Sequence, residues 1–201
     1  MQRFLLACPV AALLFAGAAL ADPAPPPPQS SQAQPAPSEQ TPSQPPQLSR
    51  ADQAFAVFAA QNSMGEAQAG QLAMQRGASG RVKQFGQQLM TDQNGINDAL
   101  QQIVQQDNLA PPPQPSPMQE AQDRRLNVLY GQDFDKAFVG AQVTHTAQAI
   151  AMYQREAQSG QDPALKQFAQ ETLPVLRHHY ALAEMLNQEA TANEAPWRGQ
   201  D

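Results

Sequence analysis

Cysteine is almost absent: Cys8 is the only one in 201 residues, and it lies in the first apolar run. The remainder of the chain can form no disulfide and offers no thiol nucleophile or thiolate metal ligand. Aromatic residues make up 6% of the chain, so any core must be filled largely by Ala, Gln, Met and a few large aliphatics. Basic clusters are missing as well. Twelve Lys+Arg stand against 18 Asp+Glu, a net charge of −6, which disfavours nucleic acid and anionic membrane surfaces as partners. No segment sustains period-two alternation, which excludes a sheet. No nucleophile elbow, phosphate loop or dinucleotide fingerprint occurs after the first apolar run.

What is present begins with an address. Met1-Gln2-Arg3 precedes an apolar run from Phe4 to Ala21, which ends in Ala19-Leu20-Ala21 before Asp22. A basic start, an apolar middle and a small-residue exit predict a secretory signal peptide over residues 1–21, and hence a periplasmic protein of a Gram-negative host. The competing reading is an uncleaved anchor, since the run is just long enough to span a bilayer. Pro9 and the A-x-A exit speak against it. Leu5-Leu6-Ala7-Cys8 imitates a lipoprotein box, but almost no apolar run precedes it. Residues 22–48 are nearly all Pro, Gln, Ser and Ala, too poor in apolar surface to offset ordering entropy. They predict a disordered linker, partly polyproline II, reaching on the order of 80 Å. Residues 49–189 suffice for one four-helix-bundle domain with its own core, and residues 190–201 predict a disordered, polar C-terminal tail.

Within that domain the periodicity predicts four long helices. Ser49 caps the first, which runs to Arg76 with the stripe Phe55, Phe58, Asn62, Glu66, Ala69 and Ala73. Gly77-Ala78-Ser79-Gly80 ends it and supplies Ser79 as the next cap. The second stripe is Val82, Phe85, Leu89, Gln93, Ile96, Leu100 and Ile103. Asn108 to Pro117 holds five prolines and must be a loop, followed by a short helical piece from Met118 to Tyr130 broken at Gly131. The third stripe is Phe134, Phe138, Ala141, His145, Ala149, Met152 and Glu156. The fourth is Leu165, Phe168, Thr172, Val175, His179, Leu182 and Leu186, with Pro174 expected to kink the helix. Short links within each pair of helices predict an all-α fold, an antiparallel four-helix bundle with an extra short helix between the second and third long helices.

Distance from the turns places chemistry within that bundle. His145 and His179 lie at nearly equal distances along the chain from the turn near Gln161, so antiparallel helices bring them to one level. Glu66 and Gln93 are similarly related to the turn near Ala78. The four residues therefore predict one central layer. A carboxylate on a stripe of Phe and Ala requires a partner, and two imidazoles supply it, as hydrogen-bond donors or as co-ligands of a metal. His178 points roughly 100° away and belongs to the surface. Glu156 lies too far from His145 to share its layer and is expected to pair with a base near the helix end. The methionines are scattered and fill core.

The chain resembles a widespread bacterial secreted family, catalogued as domain of unknown function 4142, with a ferritin-like helical bundle. The resemblance rests on Asp52-Gln53-Ala54-Phe55, Glu66, Gly70-Gln71-Leu72-Ala73, Val82-Lys83-Gln84-Phe85 and Met90-Thr91-Asp92. It continues through Leu129-Tyr130-Gly131-Gln132-Asp133-Phe134-Asp135, His145, Phe168-Ala169 and Leu173-Pro174-Val175-Leu176 ahead of His179, covering residues 50–187. The family typically carries Asp-His where this chain has Asp92-Gln93, which removes one imidazole from the layer unless Asp92 or Gln93 substitutes. The resemblance implies no established activity.

Two readings follow for function. The first is a non-catalytic binding or envelope-maintenance module with a protein or envelope partner, in which Glu66, His145 and His179 form a buried network fixing register. The second is a metal-binding bundle in metal handling or oxidative stress, with a mononuclear two-His, one-carboxylate site drawn from Glu66, His145, His179, Asp92 and Gln93. Its cofactor would be a single transition metal. A di-iron centre is disfavoured, because the chain has no Glu-x-x-His.

Overall fold

Ser49 opens the helical structure: its hydroxyl accepts the backbone N–H of Asp52 (3.1 Å) and so caps helix α1, Arg50–Arg76. The computed structural model describes residues 48–192. The expected signal peptide, nearly all of the expected linker and Trp197 with the C-terminal tail lie outside the described residues. Helix α2, Gly80–Gln106, starts at Ser79, as the Gly-Ala-Ser-Gly link predicts. Its end is closed by Asn108 at positive φ, while the N–H of Leu109 reaches back to the carbonyl of Val104.

Helix α3, Pro117–Leu126, has proline in its first turn and a capping box between Ser116 and Gln119. It is shorter than the Met118–Tyr130 piece that periodicity predicts. Asn127 caps it, Tyr130 is extended, and Gly131, at φ +63°, starts helix α4, Gly131–Ser159. The expected break at Gly131 is therefore a helix start, at a conformation that glycine adopts without strain. Helix α5, Pro163–Ala192, contains Pro174 and continues slightly past the expected boundary. Leu48, ahead of α1, is buried. The protein is all-helical, and no strand occurs among the described residues.

Helices α1 and α2 pack along each other, as do α4 and α5; the two hairpins then meet through α1 with α4 and α2 with α5. Small residues set the closest approach. A Cβ on Gly70 would lie 2.5 Å from the carbonyl oxygen of Gly86, and one on Gly86 2.7 Å from that of Gly70. The core forms two clusters. One gathers Phe55, Tyr153, Phe168, Leu100, Leu165 and Leu176; the other gathers Phe85, Phe134, Phe138, Leu89, Leu126 and Leu186.

The hairpins are internally repeated, which the stripe reading does not bring out. Asp52-Gln53-Ala54-Phe55 answers to Asp135-Lys136-Ala137-Phe138, Gly77 to Gly160, and Val82-Lys83-Gln84-Phe85 to Leu165-Lys166-Gln167-Phe168, all at one constant interval. The contacts obey the repeat. Phe55 packs on Phe168 (6.3 Å between centroids) and Phe138 on Phe85 (5.9 Å). Asp135 accepts the backbone N–H groups of Ala78 (3.0 Å) and Ser79 (2.7 Å) in the α1–α2 turn. Its counterpart Asp52 accepts those of Gln161 (3.1 Å) and Asp162 (3.2 Å) in the α4–α5 turn. Each hairpin thus caps the turn of the other.

Candidate functional site

The inward stripe of α1 carries Glu66, 4% exposed, to the middle of the helix. Its Oε2 accepts the side-chain amide of Gln142 (2.6 Å), and its Oε1 lies 3.5 Å from Nδ1 of His145. The bond to Glu66 raises the pKa of His145 above its ordinary value, against the opposing effect of burial; the charge of Asp123 adds to the rise. The second pair is His179 with Asp92, Nε2 to Oδ2 at 2.8 Å. Burial lowers the pKa of His179, and Asp92 only partly offsets this. The neutral ring donates from Nε2 to Asp92, which leaves the lone pair of Nδ1 without a hydrogen-bond partner.

The predicted layer therefore divides by contact into two acid–imidazole pairs, Glu66–His145 and Asp92–His179. Each acid comes from the first hairpin and each imidazole from the second. Gln93 is buried, and its Oε1 has no partner. Among the described residues no three His, Cys, Asp or Glu side chains converge closely enough to hold a metal ion. His178 is exposed, in keeping with its outward angle.

Two members of the site escape the stripe analysis. Gln142 is 1% exposed, whereas His145 stands to one side of it. The buried face of α4 is Phe134, Phe138, Gln142, Thr146, Ala149 and Tyr153, an alternative run of threes and fours that the sequence also offers. The other is Asp123, brought by α3. Its carboxyl is pushed up to about 6 by burial and by the charge of Glu66, with His145 acting the other way. Gly65 lets α3 come this close, since a Cβ there would lie 2.6 Å from Cδ of Gln119. Gln119 also holds its helix down by donating to the backbone carbonyl of Asn62 (3.3 Å). Beneath α3 lies a pocket of about 150 Å³ lined by Phe58, Gln61, Asn62, Met118, His145 and Gln148 among others. A recess of about 10 Å³ beside it is walled by Glu66, Asp123, Gln142 and His145.

At the far end of the first core cluster, Glu156 corrects an expectation. It is buried, and its partner is the carboxylate Asp52 rather than a base. Burial, then the charge of Asp52 and the hydrogen bond to it, push Glu156 up to about 7, with Lys166 opposing. Asp52 remains the acceptor for the turn amides while Glu156 keeps a proton between the two acids. In the repeat Glu156 answers to Ala73, so this acid pair has no counterpart at the other end. The folded state holds the Glu156 proton more tightly than the unfolded chain. Its contribution to stability is therefore fully present below pH 4.5 and is lost as pH rises towards and through about 7. Glu156→Gln should flatten that decline and leave the variant relatively more stable above pH 7. Urea denaturation across pH 4–8 checks this; an unchanged slope would mean the two acids do not share a proton.

An all-helical protein with paired acids and imidazoles at its centre, covered by a short cross-helix, is the class these observations define. The family model described as domain of unknown function (DUF4142) matches residues 37–186, and the chain belongs to that family. No curated protein and no solved structure matches it.

Proposed function

We propose that this protein is a periplasmic, non-catalytic binding module. Its leader is removed on export, and its linker sets a ferritin-like antiparallel four-helix bundle away from the membrane. The contacts of α1 with α2 and α4, and of α5 with α4 and α2, support the bundle. The binding reading is carried by the pocket of about 150 Å³ under α3, with His145 in its wall. A pocket with apolar and amide walls, beside buried ionisable groups, is the form small-molecule sites usually take.

A second reading, a bound transition metal, is favoured by the orphaned Nδ1 of His179. An imidazole oriented by a carboxylate, with its other nitrogen unpartnered, is the arrangement of a metal-bound histidine. Both readings are tested on untagged protein isolated from the periplasm, by native mass spectrometry and elemental analysis. The expected result is a small organic adduct that is lost in Gln148→Trp, where the indole fills the pocket. Stoichiometric metal that disappears in His179→Ala, without any organic adduct, would reverse the order of the readings. Protein that carries neither, and acquires neither from a periplasmic extract, is not a binding module of this kind.

A further inference from the structure

We propose that the pocket under α3 takes a small organic cation, an alkylammonium, with its charged head in the recess between Glu66, Asp123 and Gln142 and its tail against Phe58 and Met118. The proposal rests on the reading of this pocket as a binding site and names the chemistry it selects.

The recess is built from acceptors. Glu66 and Asp123 bring two carboxyl groups, and Oε1 of Gln142, on a side chain 1% exposed, has no donor. Buried acceptors without donors cost free energy until something donates to them. The titratable groups lining the recess are Glu66 from α1, Asp123 from α3 and His145 from α4, while Glu120 stands outside it, exposed and paired with Arg124, and acts on Asp123 only through its charge. Two of the lining groups are acids and one is a base, so an incoming cation completes a charge balance that an anion would worsen. A volume of about 10 Å³ matches one water-sized group. That suits an ammonium head, whose three N–H groups donate in different directions.

The larger pocket supplies the other half of the recognition. It shares His145 and Gln119 with the recess, so head and tail sites adjoin. Its wall combines the Phe58 ring and the Met118 thioether with side-chain amides, which favours an apolar chain of a few carbons over a second charge. A cation in the recess competes with the proton on His145 and favours ionised Asp123. Binding should therefore release protons and tighten as pH rises.

The test titrates the full-length mature chain by calorimetry with three probes of equal length, n-butylammonium, n-butanol and butyrate, at pH 5.5 and pH 8, and follows His145 by NMR. The ammonium is expected to bind about tenfold tighter than the alcohol, and about tenfold tighter at pH 8 than at pH 5.5. Butyrate should bind most weakly. Asp123→Asn should lose about tenfold for the ammonium and nothing for the alcohol. The titration midpoint of His145 should fall when the ammonium is bound. Equal binding of alcohol and ammonium, or a preference for butyrate, overturns the cation assignment while leaving a binding pocket. Absence of binding by all three overturns the pocket as well.

Discussion

Phe138→Ala should lower the free energy of unfolding by about 3–5 kcal/mol. The ring is wholly buried, stacked on Phe134 at 5.7 Å between centroids and packed against Phe85 at 5.9 Å. It reaches across the second core cluster from α4 to Phe85 of α2, and the helix that carries it is pinned nearby by the two bonds from the α1–α2 turn to Asp135. The backbone is thus poorly placed to collapse into the space left, and the cavity term adds to the lost transfer free energy. In urea the midpoint should fall with an unchanged slope. Val128→Ala, at a side chain 75% exposed, should stay within about 0.5 kcal/mol. A loss below about 1 kcal/mol at Phe138 would mean that the second core cluster repacks freely.

Gly86→Ala should cost about 1–3 kcal/mol, although alanine is the better helix former. The added methyl would lie 2.7 Å from the carbonyl oxygen of Gly70 and 2.7 Å from Cβ of Ala73. Backbone atoms of a neighbouring helix cannot rotate aside, so α1 and α2 must separate. Gly95, on the same helix, has nothing within 4 Å of such a methyl. Gly95→Ala should therefore gain about 0.5–1 kcal/mol from propensity alone. Opposite signs at these two positions, measured by thermal or urea unfolding, are the expected result. Equal signs would show that the close approach of α1 and α2 does not constrain the protein.

The difference between those glycines marks the limit of what was legible in the chain. Caps such as Ser49 and Ser79, the proline loop and the inward placement of Glu66, Gln93 and His179 follow from local rules: spacing, capping chemistry and the missing N–H of proline. The face that α4 buries does not. Ala141–His145–Met152 and Gln142–Thr146–Tyr153 are both spaced for a helix, and only the positions of α1, α3 and α5 decide between them. Asp123 lies on a short helix with little periodic signal, and its partners are distant in sequence. Glu156 was expected to meet a base because a buried acid commonly does. A shared proton with Asp52 serves the same need, but only long-range geometry reveals it. The repeated Lys-Gln-Phe was visible in the sequence to a comparison of the chain with itself rather than to a search for stripes.

The exchange of caps between the hairpins bears on how the chain reaches this state. An isolated α1–α2 hairpin leaves the amides of Ala78 and Ser79 without Asp135, and an isolated α4–α5 hairpin leaves those of Gln161 and Asp162 without Asp52. Neither hairpin can finish its own turn. Half-folded species are raised in energy at the points where hairpins otherwise begin, and closing each cap demands a contact across a long stretch of chain. The repeated halves are thus tied into one cooperative unit from both ends, which disfavours a partner-less hairpin as a stable intermediate.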